Sequence, residues 1–159
     1  MTIDMQPPVV KPATAAGSVI KPRVLSHGTA ESRDLVRTRE FYEKFLGLSC
    51  VQISAGAIAA SAGVKFHIVC LQTGDRLRKH LTLLNHWGLE VGSPEEVHEA
   101  HRKAHELKGV YGIEAIMPIE NVGGRMSFYL EDFDHNWWEI QYYNGCMHDD
   151  FYDFGDVTE

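Results

Sequence analysis

The sequence predicts an α+β chain in which one strand–helix–strands pattern is used twice. Three observations predict it. Apolar residues alternate with period two in runs that flank two helical stretches. Gly47 and Gly109 stand where those helices should stop. Each copy's opening strand carries a histidine a few residues ahead of its helix, His27 in the first and His86 in the second.

In the first copy, residues 24–29 read as a short half-buried strand holding Ser26-His27-Gly28. A helix is expected over residues 33–45, with Leu35, Phe41, Tyr42 and Phe45 as its apolar stripe. Strands follow over residues 48–54 and 65–73, while residues 55–63 are too rich in Ala and Gly to assign. The second copy opens with the strongest strand signal, residues 81–91. Ser93 is placed to cap a helix with Pro94 as its first residue, running to Leu107 and ending near Gly109. Strands over residues 113–120, 125–131 and 136–143 complete the pattern.

A chain of 159 residues suits one ordinary domain with a real core. Residues 1–21, with Pro7, Pro8 and Pro12, read as a flexible arm. Residues 22–143 form the domain, with modules of about 22–75 and 79–143, and residues 144–159 form an acidic, aromatic tail. The tail sets Phe151, Tyr152 and Phe154 among Asp149, Asp150, Asp153 and Asp156. Three readings stay open for it: a lid that brings His148 toward the cup, a dock on a second subunit, or disorder. A net charge of −7 without any basic stripe excludes nucleic acid as a partner. No apolar run reaches the length of a membrane helix, and the start lacks the pattern of a signal peptide. Cys50, Cys70 and Cys146 are odd in number and lack metal-ligand spacing, which suits a reducing cytoplasm.

Alternation assigns the strand faces. Leu81, Leu83, Trp87, Leu89 and Val91 should pack on the helices, leaving Thr82, His86 and Glu90 opposite. Trp138, Ile140 and Tyr142 oppose Trp137, Glu139 and Gln141, and Met126, Phe128 and Leu130 oppose Ser127, Tyr129 and Glu131. Phe66, Ile68 and Cys70 likewise leave His67 on the second side. A curved sheet with helices outside gathers that second side into a cup, which His27 joins if its strand follows the same rule. Two imidazoles and one carboxylate on three strands fit a facial triad, which leaves coordination positions open. His98, His101 and His105 are read differently: they fall beside the buried stripe of Val97, Ala100, Ala104 and Leu107, on a solvated helix face.

With these residues in view, the chain resembles the vicinal oxygen chelate superfamily of glyoxalases, fosfomycin- and bleomycin-resistance proteins and type I extradiol dioxygenases. The resemblance spans residues 24–143 and rests on Ser26-His27-Gly28, on Phe41-Tyr42-Glu43-Lys44-Phe45-Leu46-Gly47-Leu48, on His86, and on the run from Asp132 to Glu139. Phe133 replaces a usual Pro and His135 a usual Gly in that run. The resemblance implies paired βαβββ modules, a curved mixed sheet and a metal held by His27, His86 and Glu139. Iron(II) is the expected ion, with manganese(II), nickel(II) and zinc(II) as alternatives.

Within the superfamily the extradiol dioxygenases look closest, because Tyr129 stands ten positions before Glu139 and His67 precedes His86 on an earlier strand. That likeness implies ring cleavage of a catechol-type diol by dioxygen, with His67 as proton acceptor and later donor and Tyr129 holding an oxygen. Two departures stand beside it: residues 121–125 carry no histidine, and the chain has one such domain rather than two. If His67 instead binds the metal, a glyoxalase-like lyase, isomerase or transferase is implied. A metal-free binding protein is the third reading. A homo-oligomer is expected in each case.

Overall fold

The computed structural model describes residue 23, residues 25–76 and residues 81–154. The arm expected over residues 1–21 lies outside the described residues. Both expected modules are present, each as its own mixed sheet. The first runs β1 (His27–Ser32), α1 (Leu35–Lys44), β2 (Ser49–Ser54), β3 (Ala57–Ser61) and β4 (His67–Gln72), with sheet order β1-β4-β3-β2. The second runs β5 (His86–Glu90), α2 (Pro94–Glu106), α3 (Lys108–Tyr111), β6 (Ala115–Ile116), β7 (Glu120–Val122), β8 (Arg125–Glu131) and β9 (Trp137–Tyr143). Its sheet order is β5-β9-β8-β6, with β7 also on β8. In each sheet the opening strand lies parallel to the strand that closes its module, β1 on β4 and β5 on β9. Among the described residues no helix is long and apolar enough to cross a membrane.

Local chemistry fixes the helix ends. The Asp34 carboxylate accepts from the amides of Val36 and Arg37 and so starts α1, just inside the expected boundary. Ser93 accepts from the Glu96 amide at α2, with Pro94 in the first turn as expected. Gly112, at φ 67°, ends the helical run rather than Gly109, which sits inside α3.

Four stretches differ from the sequence expectation. Residues 81–85 are not strand: the Asn85 amide donates to the Thr82 carbonyl at 2.8 Å in a turn, and Leu84 is 86 % exposed. Alternating leucines imitate a strand there without any face to bury. Residues 113–120 split into β6 and β7 around Pro118, which has no amide to give to a ladder. The unassigned Ala-rich stretch is β3, a central strand whose Ala57, Ile58 and Ala60 are buried. The tail holds a helix, α4 (Met147–Phe154).

The two modules share one core on their helix-bearing sides. Tyr42 of α1 meets Trp138 of β9 edge to face, with ring centroids 5.1 Å apart. Gly28 of β1 lies so close to Trp87 of β5 that a methyl at that position would sit inside the indole. The turn before β9 clasps the first module through its side chains. Asp134 accepts from the Arg33 amide at 2.7 Å and from the Thr38 hydroxyl at 2.6 Å, and Asn136 donates to the Glu31 carbonyl at 3.0 Å. Asp132 accepts from the Asp134 and Asn136 amides and from the Trp138 indole. Its complete burial, opposed by those donors, pushes its carboxyl up to about 7. His135 takes the left-handed conformation, φ 65°, that glycine adopts more easily, and Phe133 is buried beneath the guanidinium of Arg37.

Candidate metal centre

Strand register brings the second module's polar side chains together. Tyr129 of β8 is the cross-strand partner of Glu139 of β9, and Gly88 of β5 pairs with Glu139 on the other side. Gly88 contributes no side chain, so the neighbouring His86 reaches Glu139 along the same face. The His86 Nε2 atom lies 3.2 Å from Glu139 Oε2. The rings of His86 and Tyr129 meet edge to face at 5.0 Å. Burial, and then the Glu139 carboxylate beside it, raise the Tyr129 hydroxyl above its ordinary pKa, so it stays protonated.

The turn over residues 81–85 sets the tautomer of His86. Its Nδ1 lies 2.8 Å from the Leu83 carbonyl, which can only accept, so Nδ1 carries the proton. In the neutral ring Nε2 then presents a lone pair toward a carboxylate oxygen. Two lone pairs at that separation repel unless a cation lies between them or in front of both. Two donors about 2.1 Å from one ion at right angles sit roughly 3 Å apart, close to the observed spacing. A backbone carbonyl on the far nitrogen is also how metal-ligating histidines are oriented. The turn is tied to β9 as well, because the Trp137 indole donates to the Leu81 carbonyl at 3.0 Å.

Glu139 supplies the second sign. It is 4 % exposed, and its Oε1 is buried without a hydrogen-bond partner. The nearest positive group is Arg125, whose Nε stands 3.6 Å from Oε1, beyond hydrogen-bond reach. A buried carboxylate with one oxygen facing an imidazole nitrogen and the other free of hydrogen bonds fits a divalent metal.

His27 and His67 occupy the corresponding face of the first module. They are partners in the β1–β4 register, and their rings stack at 5.6 Å. Ser26 Oγ lies 2.9 Å from His27 Nδ1. Among the described residues, no three His, Cys, Asp or Glu side chains come within reach of a single ion. The second module brings His86, Glu139 and Tyr129 together, and the first brings His27 and His67 together.

Sequence reasoning missed Arg125. Extending the alternation of Tyr129 and Ser127 by two more residues puts it on the same face, where it adjoins Glu139. The histidines of α2 also need correction. His101 is half-buried, edge-on to Phe128 at 4.9 Å and 3.1 Å from the Met117 carbonyl, so its face is not simply solvated.

No family model and no curated protein matches the sequence. Solved structures do match it. The fosfomycin resistance protein FosX from Listeria monocytogenes superposes with a TM-score of 0.63 at 25% identity, covering 82% of this chain and all of that one. The same Listeria protein complexed with manganese(II) and sulfate gives 0.63 at 23% identity, covering 85% of this chain and 100% of that one. A glyoxalase/bleomycin resistance protein/dioxygenase from Alicyclobacillus acidocaldarius gives 0.57 at 21% identity, covering 79% and 95%. A lactoylglutathione lyase from Agrobacterium tumefaciens gives 0.55 at 17%, covering 76% and 94%.

Proposed function

We propose that this chain, which has the vicinal oxygen chelate fold, is a metal-dependent enzyme acting on a small molecule through His86, Glu139 and His27. The observation that carries the proposal is His86 Nε2 set 3.2 Å from Glu139 Oε2, on a buried carboxylate whose other oxygen, Oε1, takes no hydrogen bond. His27 completes the set from a second copy of the chain. Two facts support this: His27 is solvent-exposed and joins no group of three ligands among the described residues, and Val51, Ile53 and Leu71 lie exposed in the same sheet. On this reading the expected homo-oligomer has a chemical reason, because each site draws its donors from two copies.

The reaction we assign is extradiol cleavage of a catechol-type diol. Iron(II), when bound, supplies Lewis acidity and open coordination positions for the diol and for dioxygen. The chain's residues do the rest. His67 accompanies His27 into the shared site and accepts the diol's remaining proton, later returning it to the product. Tyr129 keeps its own proton and donates a hydrogen bond to a substrate oxygen. Arg125 offsets negative charge beside Glu139. The product is a muconic semialdehyde-type compound.

A second reading is favoured by the neighbours named as fosfomycin resistance protein and lactoylglutathione lyase. There His67 becomes a fourth ligand and the chemistry is isomerisation or group transfer with manganese(II), nickel(II) or zinc(II). Anaerobic loading with iron(II), followed by oxygen-uptake assays over a catechol panel, separates the two. Uptake with a diol, and a His67→Ala variant that keeps its iron but loses turnover, is the expected result. No uptake with any diol, together with turnover of a glutathione adduct or an epoxide under manganese(II) or nickel(II), would sink the ring-cleavage assignment.

A further inference from the structure

A second pair of histidines lies close together, on the opposite side of β8 from the cup. His101 and His105 stand four residues apart on α2, which puts them on one helix face. Their ring centroids are 4.7 Å apart, with an interplanar angle of 72°. An imidazole holds a metal at about 2.0–2.1 Å from its nitrogen, so two rings on one ion have centroids roughly 4.5–5 Å apart. The observed separation falls in that range, so rotation of the two rings is enough to aim their nitrogens at one ion.

His101 is also prepared as a ligand. Its ring is held edge-on against buried Phe128, at 86°. The Met117 carbonyl, 3.1 Å from Nε2, can only accept, so Nε2 carries the proton and Nδ1 keeps the lone pair. A backbone carbonyl in that role fixes both tautomer and orientation, as it does for metal-bound histidines generally. Phe128 faces α2 while the next residue, Tyr129, adjoins Glu139, so β8 separates this pair from the cup.

We propose that His101 and His105 form a second metal site, selective for borderline, imidazole-preferring divalent ions. Copper(II) binds it most tightly, with nickel(II) and zinc(II) weaker, and oxygen-preferring ions such as magnesium and calcium are ignored. Two protein ligands leave the remaining positions to water, so the ion exchanges readily. The site is independent of the proposed activity.

The test is titration of metal-free full-length protein with copper(II), read by broadening of the histidine ring protons in NMR and by nitrogen hyperfine structure in EPR. His101 and His105 should broaden together. His105→Gln, an exposed helix substitution, should weaken that site about tenfold or more while helical circular dichroism stays unchanged. A His86→Ala variant should keep the site intact. Unchanged copper affinity in His105→Gln, or broadening confined to other histidines, overturns the proposal.

Discussion

The Nε2 atom of His86 faces Glu139 Oε2 at 3.2 Å while its Nδ1 proton is committed to the Leu83 carbonyl. With a neutral ring both facing atoms are acceptors, and a divalent ion held by the two satisfies them together. Metal binding should accordingly stabilise the fold. Manganese(II) or iron(II) at a hundred times its Kd contributes about 2.7 kcal/mol, a Tm increase of roughly 5–10 °C in a domain of this size. Glu139→Gln should abolish that increase in differential scanning calorimetry. An equal increase in the variant would put the ion elsewhere.

Sharing the site between two copies has a numerical signature. A His27→Ala chain and a Glu139→Gln chain should each be inactive. Mixed, unfolded and refolded together, they give a mixed dimer in half of the molecules, with one of its two sites intact, so about a quarter of wild-type activity should return. If all ligands came from one chain, the mixture would stay inactive.

The Asp132 carboxyl, pushed up to about 7 mainly by burial, gives a pH dependence of definite sign. Between the ordinary carboxylate range and pH 7, the folded protein holds a proton that the unfolded chain has lost. Stability from this group is therefore highest in acid, declines as pH rises through that window, and is fully lost above it. The side-chain carboxyl carbon of Asp132 should titrate near pH 7 by NMR. A midpoint in the ordinary carboxylate range would contradict the assignment.

Gly28→Ala should destabilise the protein by about 1–3 kcal/mol in urea, because the added methyl must displace the Trp87 indole. Trp87→Leu should relieve most of that extra cost when the two are combined. Strictly additive effects would mean that β1 and β5 do not meet at this point.

Much of the fold is legible because its signals are local. Ser93-Pro94, Gly47 and the alternation of β8 and β9 each decide conformation within a few residues. Where the deciding partner is distant, sequence reading fails. Ala57–Ser61 becomes strand only because β2 and β4 flank it, and the leucines of residues 81–85 have no sheet to join. The face of Glu139 follows from alternation, whereas the His86 tautomer depends on a carbonyl three residues back in a turn that reads as strand. Whether His27 joins His86 and Glu139 could not be read at all, because it depends on how two sheets pack rather than on either sheet's pattern; among the described residues they form no group of three ligands.

The clasp between the modules also constrains the order of events during synthesis. Thr38 and the Arg33 amide wait for Asp134, and Tyr42 waits for Trp138, roughly a hundred residues later in the chain. On a ribosome adding about 5–20 residues per second, the first module spends several seconds with that aromatic surface uncovered. Chaperone demand should therefore peak before the last strand emerges, and a stall after the first module is complete but before residue 132 would leave a fragment that has its helix and sheet but no lid for its core.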